Sequence, residues 1–332
     1  MPEVPVTVYS SFKVFHYPET IEALAAHRHV APLHVRIKPT NVCNHGCYFC
    51  AYRRDDLSLG SSMEVRDRLP REKMREIVDD LIAMDVKAVT FSGGGEPLIY
   101  PFLGETLERL ADAGIKIGIL TNGTQLRGKL ADTVARTTAW VRISIDGWDG
   151  PSYAQNRNVP EDSFAQVLAN MAAFAQLGSA CVLGASVIVD KGNAPHLAGL
   201  VGDLKRHGAA HAKISHCRDT LADATFDVVD HYHFETDEAP ATCHPRCPMT
   251  RLLTVIGADG AVYTCQDKAY TEAGKIGSIK DRSFRDLWTS AETQAWLDDF
   301  DARTCARHCV AAGKNALLND FLDTDRAHTA FV

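Results

Sequence analysis

Cys43, Cys47 and Cys50 fall within the run Cys43-Asn44-His45-Gly46-Cys47-Tyr48-Phe49-Cys50, a C-x3-C-x2-C spacing. The run follows an extended apolar segment, Leu33-His34-Val35-Arg36-Ile37. Three thiolates on one short loop can hold three irons of a cubic [4Fe–4S] cluster, since Cys thiolates are the usual ligands of such cubes. The fourth iron then has no ligand from the loop, and an open metal position separates a working site from a structural one. Zinc is the alternative, although structural zinc takes four ligands and only three are local.

The elements around the loop read as alternating strands and helices. Strands are predicted at 33–38, 87–92, 116–121, 139–145, 181–189 and 211–215. Amphipathic helices are predicted at 71–84, 102–113, 128–137, 164–177 and 194–207, with a shorter one from Glu19 to His27. Met74, Ile77, Val78, Leu81 and Ile82 recur at helical spacing, as do Phe164, Val167, Leu168, Met171, Phe174 and Leu177; both stripes read as core faces. Such alternation implies a parallel sheet covered by helices, with ligands at the carboxyl ends of the strands.

Polar motifs stand at those ends. Phe91-Ser92-Gly93-Gly94-Gly95-Glu96-Pro97 follows the second strand, and its glycines allow close backbone approach. Thr121-Asn122-Gly123-Thr124 follows the third, either as a plain turn or as a pocket wall. On the fourth strand Arg142, Ser144 and Asp146 share one face, and polar groups facing inward need partners or a ligand. Tyr153 and Arg157 follow in a Y-x3-R arrangement. Lys213, Ser215 and Cys217 share a face of the sixth strand; Cys217 is a candidate hydrogen-atom donor or a buried free thiol, and Cys181 reads as core.

The loop C-x3-C-x-aromatic-C after strand one, with Gly94-Gly95-Glu96-Pro97 after strand two, resembles the radical S-adenosylmethionine (SAM) superfamily. The resemblance extends over nearly the whole chain from residue 33. It implies an α/β fold, a partial (β/α)6 barrel, and a [4Fe–4S] cluster on Cys43, Cys47 and Cys50 whose open iron binds SAM. It places Phe49 near the adenine and Gly94, Gly95, Glu96 and Pro97 at the SAM amino group. Thr121 and Asn122 would line the pocket. Ser144 or Asp146 would take the ribose or methionyl end, and Arg157 the carboxylate, a pairing that guanidinium geometry favours.

The C-terminal third opens with Cys243-His244-Pro245-Arg246-Cys247. Leu252–Ile256 and Ala261–Cys265, joined by Gly257-Ala258-Asp259-Gly260, read as a β-hairpin that would carry Cys265 back toward Cys247. Cys305 and Cys309 follow a helical stretch. This resembles the auxiliary-cluster region of the SPASM/twitch subgroup, which implies a second [4Fe–4S] cluster on Cys247, Cys265, Cys305 and Cys309. Cys243 could replace one of these, and zinc suits four thiols too. No cysteine lies between Cys265 and Cys305, so one auxiliary cluster is implied. The expected organisation is a lead-in at 1–32, the barrel at 33–217, a linker at 218–242 and a small cluster-binding domain at 243–332.

Bulk composition excludes several classes. With net charge −7 and no long basic stripe, nucleic-acid binding is not expected, and no apolar run is long enough for a membrane span. Ten cysteines without an export signal point to a reducing, cytoplasmic location and to metal binding rather than disulfides. The resemblance implies reductive cleavage of SAM to a 5′-deoxyadenosyl radical, fed by a flavodoxin- or ferredoxin-like one-electron reductant. Only 32 residues precede the first strand, which favours a small polar metabolite (sugar, aminocyclitol or nucleoside) undergoing dehydrogenation or epimerisation. Peptide epimerisation or crosslinking is the alternative within enzymes. A non-catalytic iron–sulfur or zinc protein is the alternative from another class.

Overall fold

The computed structural model describes residues 10–53, 60–216, 232–235, 245–305, 309 and 311–328. Six strands follow one another with helical crossovers: β1 (His34–Ile37), β2 (Ala88–Phe91), β3 (Lys116–Thr121), β4 (Trp140–Ser144), β5 (Val182–Val189) and β6 (His211–His216). Each pairs in parallel with the next. A further strand, β7 (Tyr232–Glu235), lies parallel to β6 within the stretch read as linker. On the opposite edge β8 (Leu253–Ile256) lies parallel to β1, and β9 (Ala261–Tyr263) and β10 (Lys275–Ser278) follow antiparallel. The C-terminal hairpin therefore continues the barrel sheet, in the order β10-β9-β8-β1-β2-β3-β4-β5-β6-β7.

The helices are α1 (Pro18–Ala25), α2 (Arg71–Ala83), α3 (Leu103–Asp112), α4 (Gly128–Thr137), α5 (Gly150–Arg157), α6 (Asp162–Gln176), α7 (Leu197–Arg206), α8 (Met249–Leu252), α9 (Phe284–Trp288), α10 (Ala291–Asp299) and α11 (Ala312–Asp323). Among the described residues no helix is long and apolar enough to cross a membrane.

The two faces of the sheet differ sharply. Val35, Ile37, Val89, Phe91, Ile117, Ile119, Val141, Ile143, Ala185 and Ile214 lie under the helices and are buried. Their neighbours Arg36, Arg142, Ser144, Ser186, Lys213 and Ser215 alternate with them and are only half-buried. Period-two alternation thus separates a dry outer layer from a water-accessible lumen. On α2, Met74, Ile77, Val78 and Leu81 are buried, but Ile82 is 40% exposed, because its place beside Leu81 turns it off the core stripe. Leu177, just past the end of α6, is likewise 45% exposed. Cys181 is buried and contacts Thr138 Oγ1 at 3.0 Å.

The floor of the lumen is packed by residues that glycines admit. A Cβ on Gly118 would lie 2.1 Å from the Trp140 ring, and one on Gly184 2.6 Å from the His211 ring. Gly118→Ala is expected to cost about 1–3 kcal/mol of stability through overpacking. Thermal denaturation checks this, and Trp140→Leu in the same chain should recover part of the loss.

Candidate functional site

The thiol loop springs from β1 and is fastened on three sides. Gly46 N donates to Arg157 O at 2.9 Å and Tyr48 N to Asn156 O at 3.2 Å, which ties the loop to the end of α5. Asn44 Nδ2 donates to Thr124 Oγ1, and Asn122 Nδ2 to Asn44 Oδ1, both at 2.8 Å, which ties it to the end of β3. At its root Gly95 N donates to Thr40 O at 3.1 Å and Glu96 N to Val42 O at 2.9 Å.

That third fastening gives the glycines a specific reason. A Cβ on Gly95 would sit 2.0 Å from Val42 O, and one on Gly94 2.3 Å from Asn41 Oδ1. The run must be bare so that β2's end can press against the root of the thiol loop. Glu96 is buried, and its carboxylate is engaged within the fold. Oε1 accepts from Leu98 N at 2.9 Å and Thr121 Oγ1 at 2.5 Å, while Oε2 accepts from Asn122 N at 2.7 Å. Burial raises its pKa, and these donors oppose the rise. Pro97, also buried, opens the short turn that follows.

Arg157 is the hub of the other wall. Pro151 stands in the first turn of α5, and Asp149 and Ser152 form a capping box at its start. The helix ends where Asn158 turns left-handed at φ 51°. The Arg157 guanidinium, only 2% exposed, pairs with Asp146 and donates to Ser144 Oγ at 2.9 Å. Its centre lies 5.5 Å from the Phe49 ring and 5.2 Å from that of Tyr153. Asp146 Oδ1 also accepts from Ile188 N at 2.7 Å. Burial pushes the Asp146 carboxyl above its ordinary range, and the guanidinium and that N–H oppose the push. Arg157 Nε is buried with no hydrogen-bond partner, as are both ring nitrogens of His45. Burial, reinforced by Arg157, lowers the His45 pKa to about 4, so the ring is neutral at pH 7.

Cys43, Cys47 and Cys50 are half-buried free thiols. Burial raises Cys43, and it raises Cys47 to about 11 against the opposing pull of Arg157. Their mutual repulsion as thiolates adds to both shifts. A bound cation reverses that logic by favouring the thiolate. Among the described residues no three His, Cys, Asp or Glu side chains converge on the position of a single ion. The three thiols of a cube bind separate irons, so the fit rests on the donor set, which suits the cluster. The orphaned Arg157 N–H is a donor ready for an anionic group, as SAM's carboxylate is.

The second set of thiols flanks the C-terminal hairpin in sequence, at Cys247, Cys265, Cys305 and Cys309. Gly257 N donates to Ala261 O at 2.8 Å across a turn in which Gly260 has φ +71°. The hairpin returns Cys265 toward Cys247. Burial raises Cys265 to about 12, with Asp267 and Cys247 adding to it. Burial raises Cys247 to about 11, with Cys309 and Cys305 adding. Cys305 is raised as well, mainly by burial. Asn315 Nδ2 donates to Cys247 Sγ at 3.0 Å. Four thiols that feel one another in this way are a donor set for a cluster or a zinc ion. Cys243 and Cys217 lie outside the described residues.

Sequence reasoning passed over three residues here. Lys38, fully buried just past β1, donates to Gly93 O at 3.0 Å and Tyr52 OH at 2.8 Å, with its ammonium 4.1 Å from the Tyr52 ring centre. Gln266, next to Cys265, also donates to Tyr52 OH, so this chain of contacts joins the two thiol regions. Asn44 was visible only as a spacer within the thiol run. The alternation Arg36-Ile37-Lys38 marks Lys38 as facing inward, and that signal was readable.

Comparison with known proteins agrees with this geometry. Residues 37–194 match the model of the radical SAM superfamily, and residues 247–310 that of SPASM, an iron–sulfur cluster-binding domain. The dTDP-4-amino-4,6-dideoxy-D-glucose ammonia-lyase of Streptomyces venezuelae is 28% identical over 194 residues, covering 54% of this chain and 37% of the lyase. The chain thus spans little more than a third of that relative's length. The AdoMet-dependent heme synthase of Methanosarcina barkeri is 22% identical over 308 residues, covering 81% of this chain and 85% of the synthase. The fold matches Streptococcus suis SuiB bound to S-adenosylmethionine with a TM-score of 0.64 at 15% identity, over 89% of this chain and 75% of SuiB.

Arg157→Met leaves the Asp146 carboxylate buried without its charge partner, an expected loss of about 3–5 kcal/mol. Chemical denaturation measures it. The double variant Arg157→Met/Asp146→Leu should be more stable than the single one, because both charges are then removed.

Proposed function

Since this chain is a radical SAM enzyme that also carries a SPASM iron–sulfur domain, we propose that it abstracts a hydrogen atom from a small polar metabolite, a sugar, aminocyclitol or nucleoside, and dehydrogenates or epimerises it. The similarity to the dTDP-sugar lyase, which runs through more than half of this chain, carries the substrate class. When bound, the reduced cluster and SAM supply the hydrogen-abstracting chemistry.

The chain's own residues divide the work. Cys43, Cys47 and Cys50 would hold the first cluster, and the half-buried setting of their thiols limits water there. Phe49, packed against Arg157, offers a ring face to the adenine. The orphaned Nε of Arg157 would orient the SAM carboxylate, with Ser144 and Asp146 fixing the guanidinium. Glu96 acts by holding the ends of β2 and β3 in register, so that Gly94, Gly95, Pro97, Thr121 and Asn122 wall the pocket. Cys247, Cys265, Cys305 and Cys309 would hold one auxiliary cluster, which offers a place for the electron left after oxidation. In an epimerisation Cys217 would return the hydrogen atom. Electrons would come from a flavodoxin- or ferredoxin-like reductant.

Anaerobic reconstitution tests the cluster assignment. About eight irons per chain are expected, falling to about four in Cys43→Ala/Cys47→Ala/Cys50→Ala. The wild type under reduction should release 5′-deoxyadenosine and the triple variant should not. A reduced, iron-loaded protein that leaves SAM intact contradicts the reading. Solvent deuterium in the product marks epimerisation, and its loss in Cys217→Ala identifies the donor.

A further inference from the structure

The buried stripe of α11 is half polar. It consists of Ala312, Asn315, Leu318 and Asn319, and the two asparagines are 3% and 0% exposed. Helical spacing asks for apolar side chains at such positions, and asparagine is a poor helix former. A buried amide is tolerated there only where partners satisfy it. The helix follows the last thiol pair directly, with Ala312 N donating to Cys309 O at 3.0 Å. Asn315 thus stands near the start of α11, close in sequence to the auxiliary thiols.

The Asn315 amide is held at both ends. Its Oδ1 accepts from Met249 N at 3.0 Å, and its Nδ2 donates to Cys247 Sγ at 3.0 Å. The first bond decides the second. Met249 N belongs to the first turn of α8, where an N–H has no partner within the helix and can only donate. The amide atom facing it must be the oxygen, so the nitrogen is the end that faces the sulfur. Cys247 is fixed from its own side, because its carbonyl accepts from Thr250 N at 3.0 Å and from Thr250 Oγ1 at 2.7 Å. One turn farther along α11, Asn319 Nδ2 donates to Arg246 O at 3.3 Å. Its amide meets a backbone carbonyl where that of Asn315 meets a sulfur.

We propose that Asn315 is a positioning residue of the auxiliary centre, donating its amide N–H to the Cys247 thiolate so that a cluster bound there has a higher reduction potential. The inference rests on the reading of Cys247, Cys265, Cys305 and Cys309 as ligands of an auxiliary cluster, and it adds a residue outside the thiol set. Reduction adds negative charge that the sulfurs of a cluster share. A donor aimed at one of them stabilises the reduced form more than the oxidised one, and hydrogen bonds to sulfur are among the terms that set such potentials. A higher potential makes that centre a better acceptor for the electron left after oxidation.

Potentiometric titration of the reconstituted chain, followed by electron paramagnetic resonance, tests it. The auxiliary signal is the one that survives in Cys43→Ala/Cys47→Ala/Cys50→Ala. Asn315→Asp keeps an oxygen for Met249 N but offers the sulfur no N–H, and Asn315→Leu removes the amide without adding charge. Each should make the auxiliary centre at least tenfold harder to reduce, a fall in midpoint of about 59 mV for one electron. The midpoint of the first cluster should stay at its wild-type value. Asn315→Gln retains the donor and should recover part of the shift. Asn319→Leu removes the amide one turn away and should leave both midpoints in place, which separates the sulfur bond from the packing of α11. An auxiliary midpoint unchanged in Asn315→Asp and Asn315→Leu overturns the inference, as does an equal shift in Asn319→Leu. Loss of the auxiliary iron from all three Asn315 variants overturns it too, since the amide would then serve assembly and not potential. A wild-type chain with about four irons and about one zinc overturns the auxiliary-cluster reading itself. A missing shift in a chain with about eight irons overturns only the role of Asn315.

Discussion

The buried guanidinium of Arg157 is the constraint on which the site depends. It has left water entirely, and the carboxylate of Asp146 is what makes that tolerable. Through Asp146 it reaches the end of β5, through Ser144 the end of β4, and through its own carbonyl the thiol loop. One residue thereby links the thiol loop to two strand ends. The aromatic rings of Phe49 and Tyr153 cover the planar cation and exclude solvent.

Glu96 performs the matching task on the opposite wall. Its carboxylate collects donors from β3's end and from its own turn, while the bare glycines before it lie against the root of the thiol loop. The two walls use the same physics. A buried charge accepts only a satisfied environment, so each carboxylate specifies where its neighbouring strand ends must lie. Loops that would otherwise be free are held by the cost of leaving those groups unpaired.

The C-terminal hairpin is part of the same sheet, with β8 pairing directly beside β1. Lys38, Tyr52 and Gln266 form a continuous polar contact from the first thiol region to the second. The path is short, and Lys38 on it is fully buried. A rigid connection suits two redox centres whose separation must be constant.

The sequence by itself determined β1 to β6 and most of the helices between them, because apolar periodicity is local and needs no knowledge of partners. It also carried the two runs of cysteines and the turn chemistry of the hairpin, since cysteine spacing and glycine placement are written in residue identity. The boundaries of β1 to β6 followed from it to within a residue or so. Only the tertiary structure decided what the polar strand ends do. Glu96 binds Thr121 and Asn122, and Gly94 and Gly95 lie against Asn41 and Val42, groups distant in sequence and adjacent in space. The short helix α5 was not legible, because eight residues with one apolar face too small to show a period carry little signal. The pairing of β8 with β1 and the shared inner face of Arg36, Arg142 and Lys213 arise from strand order and register, long-range properties that no single segment contains.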